Sequence, residues 1–267
     1  MPSQGKKLYR KEIMDHSAPH FVVEGNIGAG KSTFLRLMNE DLGIDVVYEP
    51  TDKWQRKDKE GNLLDLFYKD TTRWAYTFQS YAFISRIQSQ IDHEKTVTSL
   101  APQIYERSVY CDRYCFAKNC FELGFMSELE WSIYKEWFGW LVQAYTKKPS
   151  GFIYLRTTPE KCYERIQKRS RCEESSIPLS YLEALHKRHE EWLIHHHEVL
   201  SSLIEVPILV LDCNAEFETD AKARQLLLQQ VQAFVRATTN MHRPEAAPNP
   251  SLPPFPEQHS HKNQKSL

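Results

Sequence analysis

Phe21-Val22-Val23-Glu24 runs straight into Gly25-Asn26-Ile27-Gly28-Ala29-Gly30-Lys31-Ser32 and on into Thr33-Phe34-Leu35-Arg36-Leu37. The central eight residues have the G-x-x-x-x-G-K-S spacing of a phosphate-binding loop. The apolar run before them reads as a strand and the periodic run after them as a helix, which is the context this motif requires. Glycines let the backbone fold tightly enough for its N–H groups to point inward at phosphate oxygens, and the helix N-terminus adds partial positive charge. Gly25, Asn26, Gly28, Ala29, Gly30, Lys31, Ser32 and Thr33 are therefore expected to hold a nucleoside triphosphate. Lys31 would reach the β- and γ-phosphates, and the Ser32 hydroxyl would ligate Mg²⁺.

Outward from this loop, short apolar runs recur at Val46-Val47-Tyr48, Gln103-Ile104-Tyr105, Gly151-Phe152-Ile153-Tyr154-Leu155 and Pro207-Ile208-Leu209-Val210-Leu211. Segments of helical period lie between them, at 31–40, 63–92, 109–122, 127–146, 159–169, 179–203 and 219–237. Such alternation predicts an α/β chain with a parallel sheet covered by helices on both faces. Thr158-Pro159-Glu160 reads as a helix start, and Ile177-Pro178 as another. From Met241 to Leu267 the chain is rich in proline, poor in apolar residues and without period, which predicts a disordered tail.

Composition narrows the class. The 267 residues are 41% apolar and 26% charged, with a net charge of −1, so a nucleic-acid partner, which needs a positive field, is not expected. No run approaches the length needed to span a bilayer. Residues 1–19 mix Lys6, Lys7, Arg10 and Lys11 with Glu12 and Asp15 and lead into no apolar stretch, unlike a secretory signal or an acid-poor transit peptide. A cytoplasmic location follows as the expectation, with mitochondrial and nuclear ones left open. The six cysteines form no C-x-x-C pair. Cys111, Cys115 and Cys120 share one predicted helix at spacings that suit a buried face better than a metal site, and reduced thiols are expected.

A phosphate loop alone does not separate switch proteins, motors and kinases; a kinase must also deprotonate an acceptor, hold Mg²⁺ and surround the moving phosphoryl group with positive charge. The second strand leads into Glu49-Pro50, at the sheet edge where ligands bind. Glu49 there reads as a general base, or else as a helix cap or surface acid. The third strand leads into Glu106-Arg107-Ser108: Glu106 is placed for Mg²⁺ and Arg107 for the acceptor oxygen or for Glu49, the two pointing to opposite sides of the strand, unless they make a rim salt bridge. The charged segment 164–176 carries Arg165, Arg169 and Arg171, which read as a lid over phosphates or as a solvated helix face. In Trp74–Arg86, Gln79, Ala82 and Arg86 share one stripe of an aromatic-rich helix. A Gln amide matches the edge of a planar base, and Phe78 could stack on its ring, although core packing also accounts for the aromatics. A buried Arg86 needs an anion, for which Asp112 is the candidate.

These residues, together with Glu24-Gly25-Asn26-Ile27, Tyr48-Glu49-Pro50, Gly61-Asn62-Leu63-Leu64, Arg73-Trp74, Thr77-Phe78-Gln79, Glu106-Arg107-Ser108-Val109-Tyr110, Asp112-Arg113-Tyr114, Ile177-Pro178-Leu179, Tyr181-Leu182-Glu183 and Glu191-Trp192-Leu193, resemble the deoxynucleoside kinases in register over about 20–237. The resemblance implies a phosphate-loop kinase fold with a five-stranded parallel sheet, an Arg-rich lid and a homodimer. It divides the chain into a leader (1–19), a kinase domain (20–239) and the Pro-rich tail (240–267), which has no counterpart in the family pattern. It implies transfer of the γ-phosphoryl of ATP or UTP to the 5′-hydroxyl of a deoxynucleoside in nucleotide salvage. By matched position Glu49 looks like the base, Arg107 its partner and Glu106 the Mg²⁺ carboxylate. Tyr68 and Glu174 look like the holders of the sugar 3′-hydroxyl. Gln79, Arg86 and Asp112 look like the base readers, with Phe78 and Phe116 sandwiching the base and Trp54 lining the pocket. Arg165, Arg169 and Arg171 fall on lid positions, and Asp212-Cys213-Asn214 resembles the loop that contacts the donor base.

Within the family, Arg86 with Asp112 and Ala82 resemble the deoxycytidine and purine deoxynucleoside branch, a pair that would crowd the C5 methyl of thymine. Tyr154–Tyr163 is closer to the thymidine branch but lies away from the base, and Cys111 stands where relatives often have serine. Three other readings compete: a thymidine-type kinase; a non-catalytic accessory subunit of the same fold, which could dispense with Lys31, Glu49 or Arg107; and a nucleoside monophosphate kinase, which would need a basic pocket for the acceptor phosphate.

Overall fold

The computed structural model describes residues 18–55, 61–169, 171–174 and 176–241. Strand β1 (His20–Glu24) leads through the phosphate loop into helix α1 (Lys31–Leu42), which ends at Gly43 in the left-handed conformation. Strand β2 (Asp45–Val47) follows, then helices α2 (Leu63–Lys69) and α3 (Thr71–Thr96), and strand β3 (Gln103–Glu106). The single helix expected over 63–92 is broken at Asp70. Asp70 is extended (φ −141°), and its carboxylate accepts from Arg73 N at 3.1 Å, capping α3. A short acid that can hydrogen-bond the next turn competes with helix continuation, so the apolar period runs on while the backbone breaks.

Helix α4 spans Val109–Cys111, a π-helical stretch Asp112–Ala117 and Lys118–Glu122. Helix α5 (Glu128–Tyr145) opens on a capping box formed by Ser127 and Glu130. Strand β4 (Gly151–Arg156) and helix α6 (Pro159–Arg169) follow, so the lid segment is helical in its first half. The Thr158 hydroxyl accepts from Lys161 N at 3.4 Å, as the helix-start pattern predicts. Helix α7 (Leu179–His189) begins after Pro178 without a side-chain cap and widens into a π turn over Glu190–Ile194. The helix expected over 179–203 ends there, because His196 and Glu198 take left-handed backbone. Strand β5 (Ile208–Asp212) and helix α8 (Ala221–Met241) complete the described chain. The last described helix ends at Met241; 1–17 and 242–267, most of the leader and tail expected from the sequence, lie outside the described residues.

The five strands form one parallel sheet in the order β2-β3-β1-β4-β5. Its register sets Val47 beside Tyr105, Val23 beside Glu106, Glu24 beside Tyr154 and Arg156 beside Asp212. The carboxyl ends therefore step along one edge, β2 ending first and β4 and β5 running two residues beyond β1, and the phosphate loop, Glu49 and Arg107 emerge on that edge. Helix faces carrying Phe34, Leu35, Phe83, Tyr134 and Leu182 bury the sheet. Cys111, Cys115, Cys120, Cys162 and Cys213 are buried and free, while the side chain of Cys172 lies outside the description. Among the described residues no helix is long and apolar enough to cross a membrane.

Candidate active site

The carboxyl edge opens on a cavity of about 340 Å³. Gly28, Gly30, Lys31, Ser32 and Thr33 line it; Gly25, Asn26 and Ala29 build the loop behind. Gly28 and Gly30 have φ of 78° and 93°. A Cβ on Gly28 would lie 2.4 Å from Cys162 O, and one on Gly30 2.7 Å from the Phe217 ring, so conformation and space both require glycine. The Asn26 side chain is spent on structure, its Nδ2 donating to Leu182 O at 2.8 Å. Lys31 Nζ donates to Gly25 O (3.2 Å) and Asn26 O (2.8 Å), curling back over the loop. Burial, reinforced by Arg107, brings the Lys31 ammonium down to a pKa of about 8.

Ser32 Oγ donates to Glu106 Oε1 at 2.8 Å, and Glu49 N faces Glu106 Oε2 at 3.5 Å. A hydroxyl and a carboxylate converging at the head of a phosphate loop are hard oxygen donors, which fits Mg²⁺. Arg107 and Glu106 are not set on opposite sides of a strand as their adjacency suggested. β3 stops at Glu106, and Arg107 turns into the left-handed region (φ 60°), so both side chains line the one cavity. A non-glycine residue held there stores backbone strain, a mark of functional sites.

Arg86 ties the acids together. Its Nε donates to Asp112 Oδ2 (2.8 Å), and its Nη2 to both Asp112 Oδ1 (3.0 Å) and Glu49 Oε1 (2.7 Å). Arg107, the expected partner of Glu49, faces it at a longer 3.4 Å and spends Nη1 on Gly25 O (2.9 Å) and Cys111 Sγ (3.3 Å). Burial alone would raise the pKa of Glu49, but Arg86, Arg107 and Lys31 outweigh it and hold the carboxyl below its ordinary value. Asp112 ends above its ordinary value, burial exceeding the pull of Arg86.

The rest of the cavity is aromatic. Phe78 stacks on Phe67 (4.6 Å between ring centroids) and meets the edge of Trp54. Trp54 Nε1 donates to Ser85 Oγ at 2.8 Å. Gln79, Ala82 and Arg86 share the cavity wall with Phe116, whose ring lies under the Arg107 guanidinium. Gln79 Nε2 lies 3.8 Å from Cys120 Sγ, a weak contact that leaves its amide oxygen uncommitted. Tyr68 and Glu174 line the opposite side; burial first, then Glu174, pushes the Tyr68 phenol well above its ordinary value.

The lid arginines divide. Arg169 and Arg171 line the cavity and both pair with Glu174, the latter at 3.0 Å, rather than facing the phosphate loop. Arg165 lies outside the cavity lining, donating to Ala29 O (3.3 Å) and Ala215 O (3.0 Å) over the Phe217 ring. Asp212, Cys213 and Asn214 also stand apart from the cavity. There Asp212 accepts from Asn214, and Asn214 Oδ1 accepts from Thr158 N at 2.9 Å.

A family model described as deoxynucleoside kinase matches residues 21–236. The chain belongs to the deoxynucleoside kinase family. It is 43% identical over 235 residues to deoxycytidine kinase 2 of Gallus gallus, covering 80% of this chain and 89% of that one. It is 42% identical over 233 residues to the mitochondrial deoxyguanosine kinase of Xenopus laevis (80% and 88%), and 40% identical over 242 residues to the deoxycytidine kinase of Homo sapiens (80% and 89%). The chain is thus a nucleoside phosphotransferase that takes a nucleotide phosphate donor and a small nucleoside acceptor.

Sequence reasoning missed several residues of this kinase's site. Phe67 supplies the stack under Phe78, and its place in a helical run looked like core. Glu24 accepts from Ser108 N (2.9 Å) and Oγ (2.6 Å), which anchors the Arg107 turn to β1. Burial raises Glu24 to about 7. The order E-R-S after a strand was the only available signal for that brace.

Proposed function

We propose that this kinase transfers the γ-phosphoryl group of ATP, with UTP as a second donor, to the 5′-hydroxyl of deoxycytidine and of the purine deoxynucleosides. The carrying observation is the bidentate Arg86–Asp112 pair on the cavity wall beside Gln79, with Glu49 bonded to the same guanidinium. In this reading Gln79 hydrogen-bonds the base edge, while the Arg86–Asp112 pair fills the space a thymine methyl would occupy. Phe78 and Phe116 enclose the ring, Trp54 and Ala82 bound it, and Tyr68 with Glu174 holds the 3′-hydroxyl. The names of the avian, amphibian and human relatives support the same acceptor class.

Glu49, kept ionised at neutral pH by its arginines, accepts the 5′-hydroxyl proton as that oxygen attacks the γ-phosphorus. Arg107 steadies Glu49 and the acceptor oxygen. Ser32 and Glu106 would hold Mg²⁺, which would supply positive charge against the phosphates. Lys31 and the loop amides hold the phosphates, and Arg165, Arg169 and Arg171 close as a lid on the transferring group. Asp212, Cys213 and Asn214 meet the donor base. The presence of Lys31, Glu49 and Arg107 argues against an accessory subunit, and the Tyr68–Glu174 pair, suited to a sugar hydroxyl, against a monophosphate acceptor. Exposed Leu129, Trp137 and Trp140 on α5, near exposed Tyr81 and Ile84 on α3, support a homodimer. A cytoplasmic location belongs to this reading.

Initial rates with ATP and Mg²⁺ across deoxycytidine, deoxyadenosine, deoxyguanosine and thymidine test the proposal. The first three are expected to have the higher kcat/KM. Thymidine as the best substrate would overturn the acceptor assignment in favour of the thymidine-type alternative.

A further inference from the structure

Behind the Arg107 turn, away from the nucleoside cavity, lies a second cluster of chemically active groups. Cys111 is the last residue of the first α-helical turn of α4, Cys115 lies in the π-helical stretch after it, and His189 ends α7. All three are fully buried, and Cys111 Sγ, Cys115 Sγ and a ring nitrogen of His189 lie within 4.8 Å of one another. The Cys111 Sγ to His189 Nε2 separation is 3.6 Å. Tetrahedral zinc with bonds of about 2.3 Å to sulfur and about 2.0–2.1 Å to nitrogen sets its donors roughly 3.6–3.8 Å apart, so the cluster needs only side-chain adjustment to close on an ion.

The histidine is already oriented as a ligand. Its Nδ1 is 2.7 Å from Leu185 O. A carbonyl only accepts, so Nδ1 carries the proton and Nε2 presents its lone pair to the two sulfurs. A carbonyl holding the far nitrogen is the usual support behind a metal-binding histidine. Charge balance also fits. The buried Oε2 of Glu24 has no hydrogen-bond partner among the described residues. Two thiolates and the Glu24 carboxylate would balance a divalent ion and the Arg107 guanidinium, which already touches Cys111 at 3.3 Å.

We propose that Cys111, Cys115 and His189 form a buried binding site for a thiophilic divalent metal ion of the zinc class. Each thiol gives its proton to solvent as its bond to the ion forms, so loading releases two protons. The ion would clamp α4 to α7 behind Arg107, the residue that faces Glu49. The spacing of the cysteines pointed away from a metal because the third ligand lies 78 residues downstream, where only the fold brings it in.

The full-length chain, produced in cobalt-supplemented medium so that the buried site loads during folding and then desalted, tests this. The expected result is about one cobalt per chain, with a thiolate-to-cobalt charge-transfer band. Cys111→Ser keeps a hydrogen-bonding group of similar size beside Arg107 and His189 but removes the soft ligand. It is expected to fold, by circular dichroism, and to lose the charge-transfer band. Cys115→Ala is expected to lose it as well, whereas Cys120→Ala should retain it. A folded wild-type chain without bound cobalt, or one binding cobalt with no thiolate band, as exposed His195 and His197 would, overturns the proposal. So does a band that survives in Cys111→Ser. In any of those outcomes the cluster is a neutral S–H···N hydrogen bond only.

Discussion

Two pairs of arginines face the same cavity and live under different physics. Arg86 and Arg107 on the floor have side chains 3% and 4% exposed, whereas Arg169 and Arg171 on the lid are 40% and 34% exposed. The floor pair is held by several acceptors at once: Asp112, Glu49 and Glu106 O for Arg86; Glu49, Gly25 O and Cys111 for Arg107. Among the described residues the lid pair shares the carboxylate of Glu174. A buried charge cannot let go of its partners without leaving another charge stranded. A half-exposed one exchanges a carboxylate for water or phosphate at little cost. The floor is therefore preorganised electrostatics, whereas Arg169 and Arg171 can exchange partners at lower cost.

The largest expected effect tests the floor. Arg86→Met leaves Asp112 and Glu49 buried without their shared cation and should cost about 3–5 kcal/mol of unfolding free energy in denaturant melts. Adding Asp112→Asn should recover part of that loss, since one stranded charge is removed with its partner. A loss below about 1 kcal/mol in the single variant would mean that burial does not distinguish these arginines.

Next is the chemistry the floor serves. Glu49→Gln keeps size and hydrogen bonding but cannot take a proton, so kcat should fall by at least about 10²-fold. Nucleoside binding, read by calorimetry, should change far less. Near-normal turnover would remove Glu49 as the base and leave it as a brace for Arg86.

The two regions also differ in how far the sequence reveals them. The phosphate loop, the parallel sheet and the stripe Gln79-Ala82-Arg86 were legible because each is a local pattern: a motif, a period, a spacing. The Arg86–Asp112 pair was inferable because a buried guanidinium demands an anion. What stayed hidden was partner choice between elements. That Arg86 reaches Glu49 more closely than Arg107 does depends on the left-handed turn at Arg107, which no residue type announces. That the lid arginines rest on Glu174 depends on the short 3₁₀ turn Cys172–Glu174, which packs against α2. The break at Asp70 was hidden by an unbroken apolar period, and the π stretch of α4, which places both Asp112 and Phe116, leaves no periodic signature over six residues.

A smaller effect concerns the one cation of the phosphate loop. Lys31, lowered to about 8, loses its charge as pH rises through that value. Phosphate binding favours the charged form, so affinity for a non-hydrolysable triphosphate should be flat below pH 7.5. It should weaken by up to about tenfold per pH unit above 8, at the limit of one proton taken up on binding. Calorimetric titration from pH 6.5 to 9.5 reads this directly. An affinity flat to pH 9.5 would show that Lys31 stays charged and belongs with the exposed cations in behaviour.

The smallest expected effect is on the lid. In Arg169→Ala, Glu174 still has Arg171 at 3.0 Å, so no buried charge is stranded. The arginine's own pair is half in water, where such pairs contribute about 0–1 kcal/mol. The melt should therefore shift by less than about 1 kcal/mol, against several for the same kind of change at Arg86. If the lid turns onto phosphates as proposed, kcat should nonetheless fall while the nucleoside dissociation constant holds. Stability and turnover would then separate on the lid and move together on the floor. A lid variant as unstable as the floor variant would break the contrast, because it would show Arg169 to be a structural ion held in place by Glu174 rather than a charge at liberty to leave it.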